Sequence, residues 1–463
     1  MVRSKSKAQS VAASGFLADL IDNLTERSRV LLGRGRAQWA ALAGSEGNLT
    51  SLGELLLSRR GEASGVALAE ALLAAYAGAS PEVKLTFLED LCEHFGPDRE
   101  RLERAVQDFS KESAGDEAVD ALREAVEPRR QELLRRLNLA PGGTAALITL
   151  REDLLAQLHD RPKLKPADAD FVHLFSSWFN RGFLVLKPID WTTPANILEK
   201  IIRYEAVHAI GNWEELRSRL EPPDRRCYGF FHPQLVDEPL IFVEIALTRE
   251  IPDSVDALLD LDRTPIAAGE ASTAVFYSIS NTQAGLSGVS FGNFLIKQVV
   301  EDLKLELPSL KTFVTLSPTA GFATWLERER KNDTLPIFVD NVKEALLDLD
   351  EPGWHLDEAK TERLRPELLA AAAHYYLKAT TPAGLPLDPV ARFHLGNGAR
   401  LERLNFLADT SDNGLRQSYG LMVNYLYDLD KIELNHEAYA ENGTIAASSA
   451  VRKTLRAVPT APS

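Results

Sequence analysis

Thr273–Ala274–Val275–Phe276–Tyr277–Ser278–Ile279–Ser280 runs into Asn281–Thr282–Gln283–Ala284–Gly285–Leu286–Ser287–Gly288–Val289, and these two stretches decide the architecture. The first is rich in β-branched and aromatic residues and reads as a strand. Beyond the second, Phe291, Phe294, Leu295, Val299 and Leu303 share one face of a helix expected over 290–305. Another strand is expected over 312–317 and ends at Ser317–Pro318. Strand, glycine-bearing loop, helix, strand is the unit of a mixed or parallel sheet, because parallel strands need a crossover between them.

The loop carries chemistry of its own. Glycine permits positive φ and close approach of backbone to ligand. Exposed N–H groups at a helix start, with the helix dipole behind them, attract anions. Ser287 and Ser290 add hydroxyl donors, while Lys297, about two turns into the helix, is expected to face solvent rather than an anion. The spacing is neither GxxxxGK(S/T) nor GxGxxG, which argues against a nucleoside-triphosphate loop and a dinucleotide fingerprint. Two readings stay open at this point, a cradle for a pyrophosphate-like group and a plain tight turn.

Working outward, the chain divides. Up to about residue 170 it reads as helices. Ser80–Pro81–Glu82 supplies a cap, a first-position proline and an early acid, with Leu85, Leu88, Cys92 and Phe95 as the inner face. Asp98 caps the next helix, whose stripe is Leu102, Val106 and Phe109. Further helices are expected over 117–126, 128–137, 144–158 and 168–180. From the first convincing strand, 183–186, the pattern is mixed: a helix over 193–204, strands over 228–232, 239–248 and 272–280, and a helix over 363–378. The division falls at 1–182 and 183–463. The polar tail after Ala446 is expected to be poorly ordered at its end.

The whole chain sets outer limits. Its 463 residues exceed what one core usually serves, so two domains are expected. A formal charge of −15 disfavours nucleic acid and anionic membrane as partners. No apolar run is long enough to span a bilayer and no uninterrupted secretory signal is present, which points to the cytoplasm. Two cysteines, Cys92 and Cys227, and nine unclustered histidines imply neither a disulfide framework nor a metal, and no cofactor is called for.

Two side chains stand out as chemistry. Ser317 ends a strand, where α/β sheets present ligand-binding groups, although its context also suits an ordinary turn. His394 lies beside Gly396 and Asn397 in what reads as a polar loop, a better acid/base candidate than His374 on an apolar helix face. Glu238, Glu244 and His232 gather around one strand and are covered by ordinary core or surface roles.

Several segments, taken in order, resemble the malonyl-CoA decarboxylase family. They are Glu205–Ala206–Val207–His208, Arg226–Cys227–Tyr228, Asp237–Glu238–Pro239–Leu240, Phe276–Tyr277–Ser278–Ile279–Ser280 and Thr282–Gln283. They continue with the Gly285–Lys297 stretch, Leu316–Ser317–Pro318, Gly321–Phe322, Phe393–His394–Leu395–Gly396–Asn397–Gly398–Ala399, Asp409 and Gly420–Leu421–Met422–Val423–Asn424–Tyr425. The resemblance covers nearly all of 180–430.

It implies a helical N-terminal domain used in oligomerisation, with a tetramer expected, and a catalytic domain of the Gcn5-related N-acetyltransferase-like mixed α/β fold. Ser317, His394 and Tyr427 fall on the family's catalytic positions. Gln283, Gly285, Ser287, Gly288, Val289, Ser290, Phe291, Gly292, Asn293 and Asn397 fall on substrate-binding ones. Ser290 stands where animal members carry a glutamate proposed to be catalytic, and the chain ends Ala461–Pro462–Ser463 without the Ser-Lys-Leu tripeptide of some animal members.

The implied reaction turns malonyl-CoA into acetyl-CoA and CO2. It requires stabilisation of an enolate and protonation of carbon. Ser317 is expected to bind the carboxylate or enolate and pass protons with His394, the expected proton donor, oriented by Asn397 or Tyr427. Which of Ser317 and His394 protonates carbon stays open. An acyl-CoA-dependent N-acyltransferase and a non-catalytic CoA-responsive scaffold are the alternatives.

Overall fold

The computed structural model describes residues 49–58, 62–111, 115–289, 295–332 and 340–455; the chain's last residues and the expected site positions 290–293 lie outside these ranges. The described residues form two compact units, one of residues up to Asn180 together with Gln283–Ser290, the other of Arg181–Thr282 and Phe291 onward.

The first unit is helical: α1 (Leu49–Leu57), α2 (Glu62–Ala77), α3 (Pro81–Glu93), α4 (Arg99–Phe109), α5 (Asp116–Val126), α6 (Arg129–Asn138), α7 (Gly143–Gln157) and α8 (Lys165–Trp178). Ser80 and Asp98 cap α3 and α4 as expected, their side chains accepting from the Val83 and Arg101 amides. The buried face of α3 is Phe87, Leu88 and Leu91, continued by Phe95, while Leu85 and Cys92 are half-buried. The expected stripe on α4 is not a core face. Val106 and Phe109 are each 46% exposed and only Ala105 is buried, because α4 packs chiefly on α5. Helix α8 starts earlier than expected, since Pro166 sits in the first turn, where no N–H is needed.

The second unit is built on one mixed sheet: β1 (Val185–Ile189), β2 (Arg225–Phe231), β3 (Pro239–Thr248), β4 (Thr273–Asn281), β5 (Thr312–Thr315), β6 (Ser317–Pro318), β7 (Arg400–Asn405) and β8 (Met422–Leu426). The order is β1-β2-β3-β4-β5-β8-β6, with β7 also paired to β8. Strands β1 to β4 are antiparallel and β4–β5 is the parallel pair. The first strand begins at Val185, not 183, after a short turn over Arg181–Phe183; as an edge strand it tolerates Pro188. The helices that matter below are α9 (Ala195–Tyr204), α10 (Trp213–Leu220), α11 (Leu295–Glu306), α12 (Glu358–Leu377), α13 (Pro389–Gly396) and α14 (Ile432–Asn442). The expected start of α12 at 363 is too late. Asp357 caps it, bonding the Ala359 and Lys360 amides, and Pro366 lies within the helix.

Two features of the sheet prepare the site. Pairing of β4 with β5 covers only Thr273–Phe276, so Tyr277–Asn281 runs on without a paired strand on that side. The register of β3 against β4 jumps from Ser278 to Phe276, making Tyr277 the extra residue of a bulge. Beside it lies a buried polar network. Glu205 accepts from the Ser278 hydroxyl at 2.8 Å and from the Val207 and His208 amides. Arg219 donates to Glu244 at 3.0 Å and to the His208 carbonyl at 2.8 Å.

Burial pushes Glu244 up to about 7, outweighing the attraction of Arg219. Removing Glu244 as Glu244→Ala is expected to destabilise the fold by about 3 kcal/mol, since a buried guanidinium loses its carboxylate. Urea unfolding followed by circular dichroism measures it, and an unchanged midpoint would show the pair to be structurally idle.

Candidate active site

Three elements of the second unit converge on one imidazole. Helix α13 is started by Asp388, whose carboxylate accepts from the Ala391 amide at 2.7 Å, with Pro389 at the first helical position. His394 follows in the last turn and is 2% exposed. It therefore lies on a buried helix face and not in a polar loop. The Gly396–Asn397–Gly398 run that suggested a loop is the helix terminus, with Gly398 at φ 81° where a Cβ would meet the Ile432 carbonyl. Ser317 opens β6, after Leu316 has donated to the Phe276 carbonyl at 3.0 Å. Tyr427 directly follows β8, anchored by its amide to the Phe313 carbonyl.

The polar atoms form a chain. Ser317 Oγ is 3.2 Å from His394 Nε2 and donates to Thr315 Oγ1 at 2.9 Å. His394 Nδ1 is 2.7 Å from Tyr427 Oη. If the Ser317 hydroxyl donates to Thr315, its oxygen accepts from Nε2–H, and Nδ1 then accepts from the tyrosine. The network thus assigns the tautomer. Tyr425 lies flat against the imidazole, with ring centroids 4.4 Å apart and an interplanar angle of 26°. Burial alone pushes His394 down to about 3, so the resting ring is neutral. Burial also raises the Tyr427 hydroxyl well above its ordinary range, which keeps it a hydrogen-bond donor.

Of the expected site residues, Ser317, His394 and Tyr427 are brought together. Asn397 is buried, but its amide donates to the Phe393 carbonyl at 2.7 Å and caps α13; Tyr427 is the residue on the imidazole. Gln283, Gly285, Ser287, Gly288 and Val289 lie in the first unit. Gly285 is buried, Ser287 and Gly288 are exposed, and Val289 is buried. Gly288 alone of these has positive φ, 75°, and an added Cβ would meet nothing within 4 Å. Ser290, Phe291, Gly292 and Asn293 lie outside the described residues. Lys297 does not face open solvent, being ion-paired with Glu433 of α14 and largely covered.

Thr315 and Tyr425 were not singled out as site residues from the sequence. Each lies two positions before a named residue, Ser317 and Tyr427, so the period-two spacing of extended chain was the available signal. Replacing Tyr427 by Phe removes the hydroxyl held at 2.7 Å from Nδ1. The expected result is a kcat about tenfold to a hundredfold lower, with the fold intact. Steady-state assays with thermal melts check it, and unchanged kcat would remove Tyr427 from the machinery.

A buried hydroxyl–imidazole–phenol chain of this kind has the groups needed to move protons onto or off a bound molecule, the chemistry of an acid/base enzyme. Comparison with known proteins identifies which. The sequence matches the malonyl-CoA decarboxylase C-terminal domain over residues 182–462 and the malonyl-CoA decarboxylase N-terminal domain over 95–179. Mitochondrial malonyl-CoA decarboxylase of Anser anser anser is 36% identical over 359 residues, spanning 72% of this chain and 71% of that protein. The crystal structure of malonyl-CoA decarboxylase from Rhodopseudomonas palustris is 64% identical, with a TM-score of 0.85 over 88% of this chain and 98% of that one. The one from Agrobacterium vitis is 55% identical, with a TM-score of 0.84 over 89% and 100%. The chain belongs to the malonyl-CoA decarboxylase family.

Proposed function

We propose that this protein decarboxylates malonyl-CoA to acetyl-CoA and CO2, and that Ser317 and His394 carry the proton chemistry. The observation that supports it most is the 3.2 Å contact between Ser317 Oγ and a neutral, buried His394 whose other nitrogen is held by Tyr427. Cleavage of the C–C bond leaves the electron pair on the thioester as an enolate and releases CO2. A donor must stabilise that oxygen, and a proton must then reach carbon.

The resting imidazole is neutral because it is desolvated, with no carboxylate among the described residues holding it charged. The malonyl carboxylate supplies that missing charge. At about 4 Å and an effective dielectric of about 20 the attraction is on the order of 4 kcal/mol, about three powers of ten in proton affinity. The attraction carries the proton affinity of His394 back toward its ordinary value, so that the ring can take up a proton during turnover, Tyr427 Oη turning to accept from Nδ1. Ser317 Oγ–H turns from Thr315 to the carboxylate or enolate oxygen. His394 then delivers its proton to carbon, directly or through Ser317, and returns to neutral. One proton is consumed per turnover, as the reaction's charge balance requires.

Residues 283–293 serve as the CoA-phosphate loop in this reading, supported by the exposed Ser287 and Gly288 and the positive φ of Gly288. Cytoplasmic placement and homo-oligomerisation through the helical unit, as a tetramer, belong to the same reading. Two free thiols support the first, and the exposed Val106, Phe109, Val119 and Val126 of α4 and α5 support the second. Among the described residues no helix is long and apolar enough to cross a membrane.

Turnover in D2O tests the chemistry. Acetyl-CoA is expected to carry one methyl deuterium from solvent, and product without deuterium would contradict protonation by an exchangeable residue.

A further inference from the structure

Gly285 is held by both of its backbone polar groups, and both partners come from helix α7. The Gly285 carbonyl accepts from Arg151 Nη1 at 2.7 Å, and its amide donates to Glu152 Oε1 at 3.1 Å. A Cβ at this position would lie 2.2 Å from the Ile148 carbonyl oxygen, one turn earlier on the same helix. The glycine is thus needed for docking against α7, not for positive φ. Arg151 is 1% exposed and a second of its nitrogens, Nε, is fixed by Asp168 of α8 at 2.9 Å. The clamp is rigid, because its donor is itself anchored from a second helix. Three residues on, Gly288 is exposed and unencumbered. One glycine anchors the loop and the other leaves backbone accessible.

We infer that Arg151 and Glu152 are positioning residues for CoA binding, fixing residues 283–289 on α7 so that affinity for the CoA phosphates is set from within the helical unit. This rests on the reading of that loop as the phosphate site. A hydrogen-bonded anchor matters here because a loop of small residues otherwise loses backbone freedom on binding its anion, which weakens affinity. Neither side chain touches the reacting atoms, so the effect falls on binding and not on the chemical step.

The test uses the full-length chain and free coenzyme A in calorimetry, with malonyl-CoA kinetics alongside. Arg151→Met, Glu152→Ala and Gly285→Ala are expected to raise Kd and KM about tenfold each while kcat stays within about twofold. Arg151→Lys, which keeps a charged donor, is expected to recover part of the loss. Leu133→Ala, a core substitution on α6 in the same unit, is expected to lower Tm while leaving Kd unchanged; Leu133 is fully buried. Should Arg151→Met not fold, the half-buried Glu152 provides the same reading through Glu152→Ala. Unchanged Kd in the folded clamp variants overturns the inference, as does an equal rise in Leu133→Ala. If Gly288→Val also leaves Kd unchanged, the phosphate-loop reading itself has failed; if Gly288→Val weakens binding and the clamp variants do not, only the inference has.

Discussion

Replacing His394 by Asn is expected to lower kcat/KM for malonyl-CoA by about 10³-fold, the scale of a lost general acid. Asparagine keeps a polar planar group of comparable reach toward Tyr427 and Ser317, but it does not gain and release a proton. The loss should therefore appear in kcat, with Kd for free coenzyme A unchanged. Turnover near that of the natural enzyme would remove His394 from its role.

The same variant has a signature in stability. Unfolded, a histidine takes up a proton below its ordinary value of 6.5; folded, His394 does so only near 3. Its contribution is thus complete above pH 6.5 and is lost as pH falls from 6.5 toward 3. His394→Asn should lose less stability than the natural chain between pH 7.5 and pH 5 in urea titrations. Parallel losses would mean that the imidazole is not buried neutral.

The second large effect is expected at Ser317→Ala, a fall in kcat of about 10²- to 10³-fold. Alanine removes the hydroxyl proposed to bind the carboxylate or enolate, and leaves Nε2–H without its acceptor. If Ser317 and His394 act on one proton path, the double variant should fall little further than His394→Asn alone. Multiplicative losses would assign them to separate steps. A full-rate Ser317→Ala would leave the serine as the ordinary turn residue its local sequence allowed.

The architecture was legible where local chemistry governs it. Ser80–Pro81 and Asp98 specify helix starts through hydrogen bonds made within three residues, and the 239–248 strand reads from an apolar run interrupted at Glu244. What the sequence concealed depends on distant partners. His394 looked like a loop residue because Gly396–Asn397–Gly398 follows it, whereas Asp388 and Pro389, six and five positions earlier, start a helix. The Val106 and Phe109 stripe has helical period but no facing core, since period reports amphipathicity without saying what covers it.

At the site, the pairing of Ser317 with His394 spans 77 positions and depends on β6 and β7 both pairing with β8 and on α13 packing against β7, contacts no local pattern encodes. Gly285 was the subtler case. The sequence left open an anion cradle and a tight turn, and the Ile148 carbonyl adds a constraint neither reading contained, close approach to a helix.

The central claim is met most directly by supplying the full-length protein with malonyl-CoA labelled with 13C in its free carboxyl group and following both products. The account predicts labelled CO2 and unlabelled acetyl-CoA in equal amounts, with both falling together in His394→Asn. Release of coenzyme A without labelled CO2, or no consumption of malonyl-CoA at all, would contradict it.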